Sequence, residues 1–210
     1  MNSKIKDYIL KHTQEEDMLL GNLSRETHLK MLNPRMLSGH YLGIFLTILI
    51  RMIKPKRVLE IGAFTGYSAI CMAKGLDDNA TLHTIDINDE LKDFTEKYFQ
   101  QSGQDDKIIF HIGDALNIIP EIDEVFDVVF IDADKTAYLD YYKLVFPKVR
   151  KNGFILADNA LWDGKVVEKI DDTDKETAGI VAFNEYIQSD NRVENILLPI
   201  RDGLMVIWKK

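Results

Sequence analysis

Residues 126–135 read FDVVFIDADK, an apolar run that ends in two acids and a lysine. The apolar part has the length of a buried strand, and Asp132 follows it directly. A second apolar run, residues 153–157, is followed by Asp158 and Asn159. If the two strands are parallel neighbours, their carboxyl ends lie roughly 5 Å apart, so these side-chain oxygens converge at one edge of a sheet. Carboxylate and amide oxygens suit a hard divalent cation, and the pattern therefore predicts a cation site there.

The composition of the chain limits which classes of protein it can belong to. Of its 210 residues, 46% are hydrophobic and 29% are charged, and no repeat or linker divides them, which predicts one globular domain over residues 1–210. The net charge of −8 disfavours a surface that coats nucleic acid, although it leaves room for binding one small RNA loop. The single cysteine, Cys71, permits no internal disulfide, and we expect it to be buried and inert in a reducing compartment.

The N-terminus and the longest apolar run indicate the compartment. The first residues show no basic segment followed by an apolar run and a small-residue cleavage site, so no secretory signal is expected. Residues 41–50 form the longest apolar run, which is too short to span a bilayer and is followed by Arg51. We therefore expect a cytoplasmic protein with no membrane partner.

Apolar periodicity predicts a sheet with helices on both faces. Residues 1 to 53 have helical patterns, and strand patterns alternate with helical ones after them. Strands are predicted over residues 57–61, 81–85, 107–112, 125–131, 153–156, 193–198 and 204–208, and helices over 67–74, 89–101, 115–119, 137–149 and 176–189. This alternation indicates an α/β fold with a doubly wound, mostly parallel, seven-stranded sheet. The last two runs leave no room for a helix, so they predict an antiparallel hairpin with one reversed strand.

Acids stand at the carboxyl ends of five predicted strands. They are Glu60, Asp86, Asp114, Asp132 and Asp158. Doubly wound sheets bind ligands at this edge, where the strand order reverses. Any single acid here is also a candidate helix N-cap, but five in succession indicate a ligand site.

A glycine turn follows the first predicted strand. Residues 58–68 read VLEIGAFTGYS, with Gly-x-x-x-Gly spacing that differs from the pyrophosphate-binding Gly-x-Gly-x-x-Gly. Asp86, at the end of the next strand, suits two ribose hydroxyls, and Glu60 suits an ammonium group, which together indicate a nucleoside without a diphosphate. Three aromatic residues are candidates either to face a sulfonium by cation–π contact or to pack as core aromatics: Phe64, Tyr67 and Trp162.

Taken together, these motifs resemble the metal-dependent O-methyltransferases, the caffeoyl-CoA and catechol O-methyltransferase family, which use S-adenosylmethionine (SAM). The resemblance extends from about Met36 to Trp208. It rests on motifs in the right order and spacing: residues 58–68, Thr84-Ile85-Asp86, Gly113-Asp114-Ala115, Asp132-Ala133-Asp134-Lys135, Asp158-Asn159 and Leu161-Trp162-Asp163-Gly164. It implies a Rossmann-like methyltransferase fold and a homodimer. Residues 1–53 would supply helices to the acceptor site and the dimer, and residues 54–210 would form the SAM-binding core.

The resemblance also implies a role for each matching residue. SAM contacts are expected from Met36, Ser38, Glu60, Gly62, Ala63, Phe64, Ser68, Asp86, Asp114, Ala115 and Asp132. Metal ligands are expected from Asp132, Asp158 and Asn159, and acceptor contacts from Asp134, Trp162 and Asp163. Lys135 matches the general base of the catechol branch, so the catalytic residues are expected to be Lys135 and Asp132.

The predicted ligands favour particular chemistry. All-oxygen ligation without His or Cys favours Mg²⁺, with Ca²⁺ and Mn²⁺ as further candidates, and argues against Zn²⁺. A divalent cation lowers the pKa of a phenol, and two open coordination positions favour an acceptor with vicinal hydroxyls. Lys135 stands three residues after Asp132, where a nearby cation would lower the pKa of its amine and suit it to act as a base. The alternative for Lys135 is an ordinary solvated lysine.

The chain departs from the family pattern at two places. Leu42-Gly43 stands where members commonly have Gln-Gly. The turn Arg201-Asp202-Gly203 follows Leu198-Pro199-Ile200, where the catechol branch carries an acid that contacts a ring hydroxyl. Arg201 replaces a residue that is often small, which suggests contact with an anionic acceptor. A dedicated catecholamine enzyme is therefore disfavoured.

The leading hypothesis is a SAM- and Mg²⁺-dependent O-methyltransferase acting on a catechol-like or hydroxycinnamoyl small molecule. One alternative keeps the chemistry but methylates a hydroxylated wobble uridine in tRNA, which a basic patch at Lys148, Arg150 and Lys151 beside the site would favour. A nucleotide-dependent dehydrogenase is disfavoured by the glycine spacing and the terminal hairpin. A non-catalytic SAM-binding protein is disfavoured by the intact cation and base residues.

Overall fold

The computed structural model describes residues 3–210, except for the side chains of Ser3 and Lys6. The helices are α1 (Ser3–Lys11), α2 (Met18–Lys30), α3 (Gly39–Ile53), α4 (Tyr67–Ala73), α5 (Lys92–Ser102), α6 (Ala115–Glu121), α7 (Tyr138–Val145) and α8 (Lys175–Ser189). The strands are β1 (Arg57–Ile61), β2 (Thr81–Asp86), β3 (Ile108–Ile112), β4 (Phe126–Ile131), β5 (Val149–Ala157), β6 (Val193–Leu198) and β7 (Leu204–Lys209). Short 3₁₀ turns connect several of them.

The seven strands form one sheet in the order β3-β2-β1-β4-β5-β7-β6. Strands β1 to β5 pair in parallel, and β7 runs antiparallel to both of its neighbours. The predicted doubly wound, mostly parallel sheet with one reversed strand is confirmed. The strand order reverses between β1 and β4, which makes their carboxyl ends the expected ligand-binding edge.

The core lies in two layers, one on each face of the sheet. In β4 the side chains of Val128 and Phe130 point into the layer formed with α3, α4 and α5, while Val129 and Ile131 point into the layer formed with α6, α7 and α8. All four side chains are fully buried. The central strands are therefore apolar on both faces, as parallel strands covered by helices must be.

Gly43, which follows the departing Leu42, has a packing role. A Cβ on Gly43 would lie 2.7 Å from Sγ of Cys71 and 2.8 Å from a ring carbon of Tyr67, so only glycine lets α3 approach α4 this closely. Cys71 is buried as expected, and burial raises the pKa of its thiol to about 12, which makes it a poor nucleophile.

The chain between α7 and β5 differs from the prediction of one helix over residues 137–149. Helix α7 ends at Val145, Phe146–Lys148 form a 3₁₀ turn, and β5 already begins at Val149. Pro147 explains the difference, because proline has no N–H to continue the hydrogen bonds of the α-helix.

Helix α3 also corrects the estimate of the longest apolar segment. Within residues 3–210, the segment Pro34–Ile53 is long and apolar enough to cross a membrane by length and composition alone, with 20 residues and a mean hydropathy of 1.6. In the fold, Leu42, Leu46 and Ile50 of this segment are fully buried in the core layer. One face of α3 therefore packs in the core, while Ile48 and Met52 are exposed.

Candidate functional site

A cleft of about 780 Å³ opens at the carboxyl ends of β1, β2, β4 and β5. Its lining includes all but one of the residues predicted to form the site: Met36, Ser38, Gly62, Ala63, Phe64, Ser68, Asp86, Asp114, Ala115, Asp132, Asp134, Lys135, Asp158, Asn159, Trp162 and Asp163. Residues distant in sequence therefore meet in one cleft. Their individual roles stay predictions.

The two central carboxylates stand at the ends of neighbouring strands. The N–H of Asp132 donates to the carbonyl of Ile61 at 2.9 Å, and the N–H of Asp158 donates to the carbonyl of Ile131 at 3.0 Å, so the strand ladders fix both residues. Asp158 is 1% exposed, and its Oδ1 has no hydrogen-bond partner among the described residues. Burial, and then the charge of Asp132, raise the pKa of Asp158 to about 7.

Asn159 is the third predicted ligand, and its backbone conformation and a hydrogen bond to Asp202 fix its position. Its φ of 59° is left-handed, a conformation that asparagine tolerates better than most residues. Its Nδ2 donates to Oδ2 of Asp202 at 3.4 Å, and this bond orients the amide and leaves its oxygen available. Over residues 3–210, no group of three or more His, Cys, Asp or Glu side chains is arranged to hold a metal. The predicted site has two carboxylates and one amide.

Lys135 is buried beside Asp132, which removes the alternative of an ordinary solvated lysine. It is 8% exposed and lies in the 3₁₀ turn Lys135–Ala137. Its Nζ donates to Oδ1 of Asp132 and to the hydroxyl of Tyr138, both at 2.8 Å. The Tyr138 hydroxyl in turn donates to the backbone carbonyl of Asp158 at 3.0 Å. The amine is thus held by a network that includes both strand ends.

Arg201 makes a contact that the sequence did not predict. Its Nη1 donates to Oδ2 of Asp158 at 3.2 Å, and its Nη2 donates to the carbonyl of Leu37 at 3.2 Å. Arg201 and Asp158 are far apart in sequence, and no local motif indicates that they pair. Only the antiparallel placement of β7 beside β5 brings the turn before β7 to this edge.

The glycine turn after β1 contacts the backbone at the end of the neighbouring strand β4. Gly62 has φ 99°, and a Cβ there would lie 2.7 Å from the carbonyl carbon of Asp132 and closer still to its oxygen. Gly66 has φ 86°, and Phe64 also has a positive φ of 47°. The N–H of Phe64 donates to Oδ2 of Asp86 at 2.6 Å. The acid at the end of β2 therefore holds the turn that the sequence predicted to approach a ligand.

Some acids near the strand ends both cap a helix or turn and line the cleft. Asp114 caps α6 by accepting from the N–H of Leu116, and Asp134 caps the next 3₁₀ turn by accepting from Thr136. The N-cap alternative is therefore confirmed for Asp114 among the five strand-end acids, although Asp114 and Asp134 both line the cleft. Burial raises the pKa of Asp86, which is the main effect on that carboxyl.

Glu60 is the one predicted site residue whose side chain does not line the cleft. It is fully buried under the glycine turn, and its Oε2 accepts from Oγ1 of Thr84 at 2.5 Å. Its Oε1 has no partner within the described part of the chain. Burial raises the pKa of Glu60 to about 7. Contact with an ammonium group from this position stays a prediction.

The side of the cleft that was predicted to contact the acceptor is bounded by a turn with left-handed backbone. Trp162, Asp163 and Gly164 have φ values of 46°, 52° and 82°. Asp202 secures the turn, because its Oδ1 accepts from the N–H of Asp163 at 2.5 Å and its backbone carbonyl accepts from the N–H of Leu161 at 2.8 Å. Of the three aromatic candidates, Tyr67 is 1% exposed and belongs mainly to the core, with its hydroxyl donating to Glu16.

The basic residues that would favour tRNA lie at the opposite edge of the sheet. Lys148 and Arg150 stand at the amino end of β5, whereas the cleft opens beyond its carboxyl end. Lys148 donates to the carbonyl of Ile122 at 2.7 Å, and Arg150 pairs with Asp127. The structure therefore supplies no basic patch from these residues beside the cleft.

The chain is similar in sequence and fold to known O-methyltransferases. A family model described as O-methyltransferase matches residues 10–210. The chain is 32% identical to probable caffeoyl-CoA O-methyltransferase 2 of Dictyostelium discoideum over 99% of this chain and 92% of that protein. It is 36% identical to caffeoyl-CoA O-methyltransferase 1 of Eucalyptus globulus over 77% and 70%. The O-methyltransferase TomG of Streptomyces achromogenes, solved in complex with SAM, superposes with a TM-score of 0.89 at 25% identity, covering 99% of this chain and 96% of that one.

Proposed function

The chain belongs to the O-methyltransferase family, and from this premise we propose that it transfers the methyl group of SAM to a hydroxyl of a catechol-like or hydroxycinnamoyl small molecule. The proposal includes a divalent cation, Mg²⁺ before Mn²⁺ or Ca²⁺, held by Asp132, Asp158 and Asn159. Similarity to the SAM-bound TomG supports SAM as the donor. Similarity to caffeoyl-CoA O-methyltransferases supports a small-molecule acceptor.

The observation that carries the proposal is the Asp158 carboxylate. It is 1% exposed, yet its Oδ1 has no partner within the part of the chain that the structure describes, and a second carboxylate stands at the neighbouring strand end. Lys135 and Arg201 already pair with these two acids, so the feature that indicates a cation is the buried Oδ1 of Asp158, a polar atom that needs a partner of its own. Two carboxylates and an oriented amide are hard oxygen donors, so they fit Mg²⁺. When bound, such a cation would lower the pKa of the acceptor hydroxyl and orient two vicinal oxygens.

Lys135 is the residue placed to receive the acceptor proton. Its Nζ is held at 2.8 Å from Asp132 and from the Tyr138 hydroxyl, so it stays at the wall of the cleft in a fixed position. A lysine accepts a proton only through its neutral amine. The proton leaves the acceptor oxygen as that oxygen bonds the methyl carbon, and the carbon–sulfur bond breaks with its electron pair remaining on sulfur.

The donor half of the cleft is built by backbone as much as by side chains. Gly62 and Gly66 let the turn pass close to a bound molecule, and Asp86 both secures the turn and faces the cleft. The segment from Met36 to Ser38 lines the same cleft from the N-terminal side. Holding donor and acceptor in line supplies much of the acceleration in a two-substrate transfer.

The experiment that tests the acceptor class is a screen with methyl-labelled SAM. Catechols, caffeoyl-CoA, flavonoids, and unmodified and hydroxylated tRNA should be compared at equal concentration with Mg²⁺ present. We expect labelled product from an acceptor with vicinal hydroxyls. Label transferred to hydroxylated tRNA alone would contradict the small-molecule acceptor while leaving the transfer chemistry intact.

A further inference from the structure

Arg201 links two parts of the cleft that lie on different segments. One guanidinium nitrogen donates to Oδ2 of Asp158 and the other to the carbonyl of Leu37, each at 3.2 Å. The side chain of Arg201 is 26% exposed, whereas that of Asp158 is 1% exposed. The planar guanidinium is therefore fixed at both ends, with one face towards the cleft.

Each carboxylate of the proposed cation site already has a cation from the chain. Lys135 lies 2.8 Å from Asp132, and Arg201 lies 3.2 Å from Asp158. The two acids and the two bases offset each other in charge. The site is thus compensated before any divalent cation binds, and Oδ1 of Asp158 is a buried carboxylate oxygen with no partner among the described residues.

The backbone at Arg201 is unfavourable for arginine. Its φ is 50°, in the left-handed region where a residue with a Cβ is uncommon and glycine is not penalised. Glycine would suit this turn better, so the side-chain contacts are what the turn gains from arginine. Strain of this kind is maintained where the surrounding structure uses the residue.

We propose that Arg201 is a positioning residue that serves as the built-in counter-ion of Asp158 and weakens the binding of a divalent cation there. The inference rests on the proposed function, because it takes Asp158 as a ligand of that cation. A cation at Oδ1 of Asp158 would share its carboxylate with the guanidinium on Oδ2, and the two positive charges repel at short range. The cation is consequently held loosely and exchanges readily, while the guanidinium keeps Asp158 in place when the cation leaves.

The test is the affinity for Mn²⁺ and Mg²⁺ in two neutral variants, Arg201→Gln and Arg201→Gly. Free Mn²⁺ is followed by electron paramagnetic resonance and Mg²⁺ by calorimetry, on the full chain at pH 8.5, where the carboxylates are ionised. Arg201→Gly removes the backbone strain at the left-handed φ, whereas Arg201→Gln keeps a long polar side chain. If one of the two variants fails to fold, the other still tests the affinity. Arg35→Gln is the matched control, because Arg35 lines the same cleft and no ion pair to an acid is found for it among the described residues.

Removal of the guanidinium is expected to tighten divalent binding on the order of tenfold in both neutral variants. Arg35→Gln should bind like the wild type, and Arg201→Lys should bind closer to the wild type than Arg201→Gln does. An unchanged or weaker affinity in both neutral variants would overturn the inference while leaving the cation site standing. If neither the wild type nor the Arg201 variants show binding that Asp158→Ala abolishes, the proposed cation site itself is wrong.

Discussion

The close approach of Gly62 to the end of β4 gives a prediction that can be worked from the structure. In Gly62→Ala the new Cβ would stand 2.7 Å from the carbonyl carbon of Asp132 and closer to its oxygen, at a φ of 99°. The colliding atoms are backbone, so they cannot rotate away as a flexible side chain would. Relief requires the turn or the start of the Asp132 segment to move.

Two effects contribute to the expected loss of stability. A left-handed φ costs an alanine about 1–2 kcal/mol. Forcing a methyl group into packed backbone costs a further 1–3 kcal/mol or so. Gly103→Ala isolates the first effect, because Gly103 also has a left-handed φ, 63°, but nothing lies within 4 Å of its Cβ position. We therefore expect Gly62→Ala to lose about 2–5 kcal/mol and Gly103→Ala about 1–2 kcal/mol.

Urea denaturation of both variants measures these losses, and calorimetric titration with SAM measures the consequence for the site. Gly62→Ala should bind SAM more weakly, because the turn that lines the donor half of the cleft is displaced. Gly103→Ala should bind SAM as the wild type does. Equal losses of stability in the two variants, or unchanged SAM affinity in Gly62→Ala, would refute the close-approach argument.

Three further predictions concern the base, the histidine pair and the oligomer. Lys135→Met should lower kcat about 10²- to 10⁴-fold with little effect on SAM affinity, as single-turnover kinetics and titration would show; a kcat near that of the wild type would remove Lys135 from the mechanism. Burial lowers the pKa of His83, whose Nδ1 lies 3.0 Å from Nε2 of His111. As pH drops, the unfolded chain therefore binds the proton before the folded chain does, and the free energy of unfolding should fall below about pH 6.5. Urea denaturation at pH 7 and pH 5 should show a smaller fall in this free energy for His83→Phe than for the wild type. An equal fall would exclude His83 as the cause. Exposed apolar side chains on the N-terminal helices, such as Met18 at 82% and Met52 at 76%, suit the predicted homodimer, and a monomer in sedimentation at micromolar concentration would contradict it.

The strands and the acids that follow them were predictable because both depend on local sequence. An apolar run such as residues 126–131 must be buried on both faces, and the alternation with helices then fixes which ends of the strands meet. Asp132 and Asp158 fall at neighbouring ends because the strand ladder continues into them. Their proximity follows from the register of β4 and β5.

The spacing indicated that Lys135 lies beside Asp132, but the burial of Lys135 and the pairing of Arg201 with Asp158 were not predictable in the same way. The local sequence around Lys135 does not indicate burial. The Lys135 side chain is buried because it packs against Tyr138 and the end of β4. Arg201 reaches Asp158 through a hairpin whose edge placement depends on the whole sheet. The hydrogen bond from Asn159 to Asp202 likewise joins residues distant in sequence. Such contacts depend on tertiary structure, which periodicity and turn chemistry do not encode.

The central claim is that Asp158 holds a divalent cation beside the bound donor. The most direct measurement compares methyl transfer from labelled SAM in the wild type, in Asp158→Ala and in Asp140→Ala, each after chelation and after addition of Mg²⁺. Asp140 is the control because it is an exposed aspartate on α7 outside the cleft. We expect chelation to stop transfer and Mg²⁺ to restore it in the wild type and Asp140→Ala, whereas Asp158→Ala should stay inactive and still bind SAM. Transfer that persists in Asp158→Ala, or in the chelated wild type, would contradict the claim.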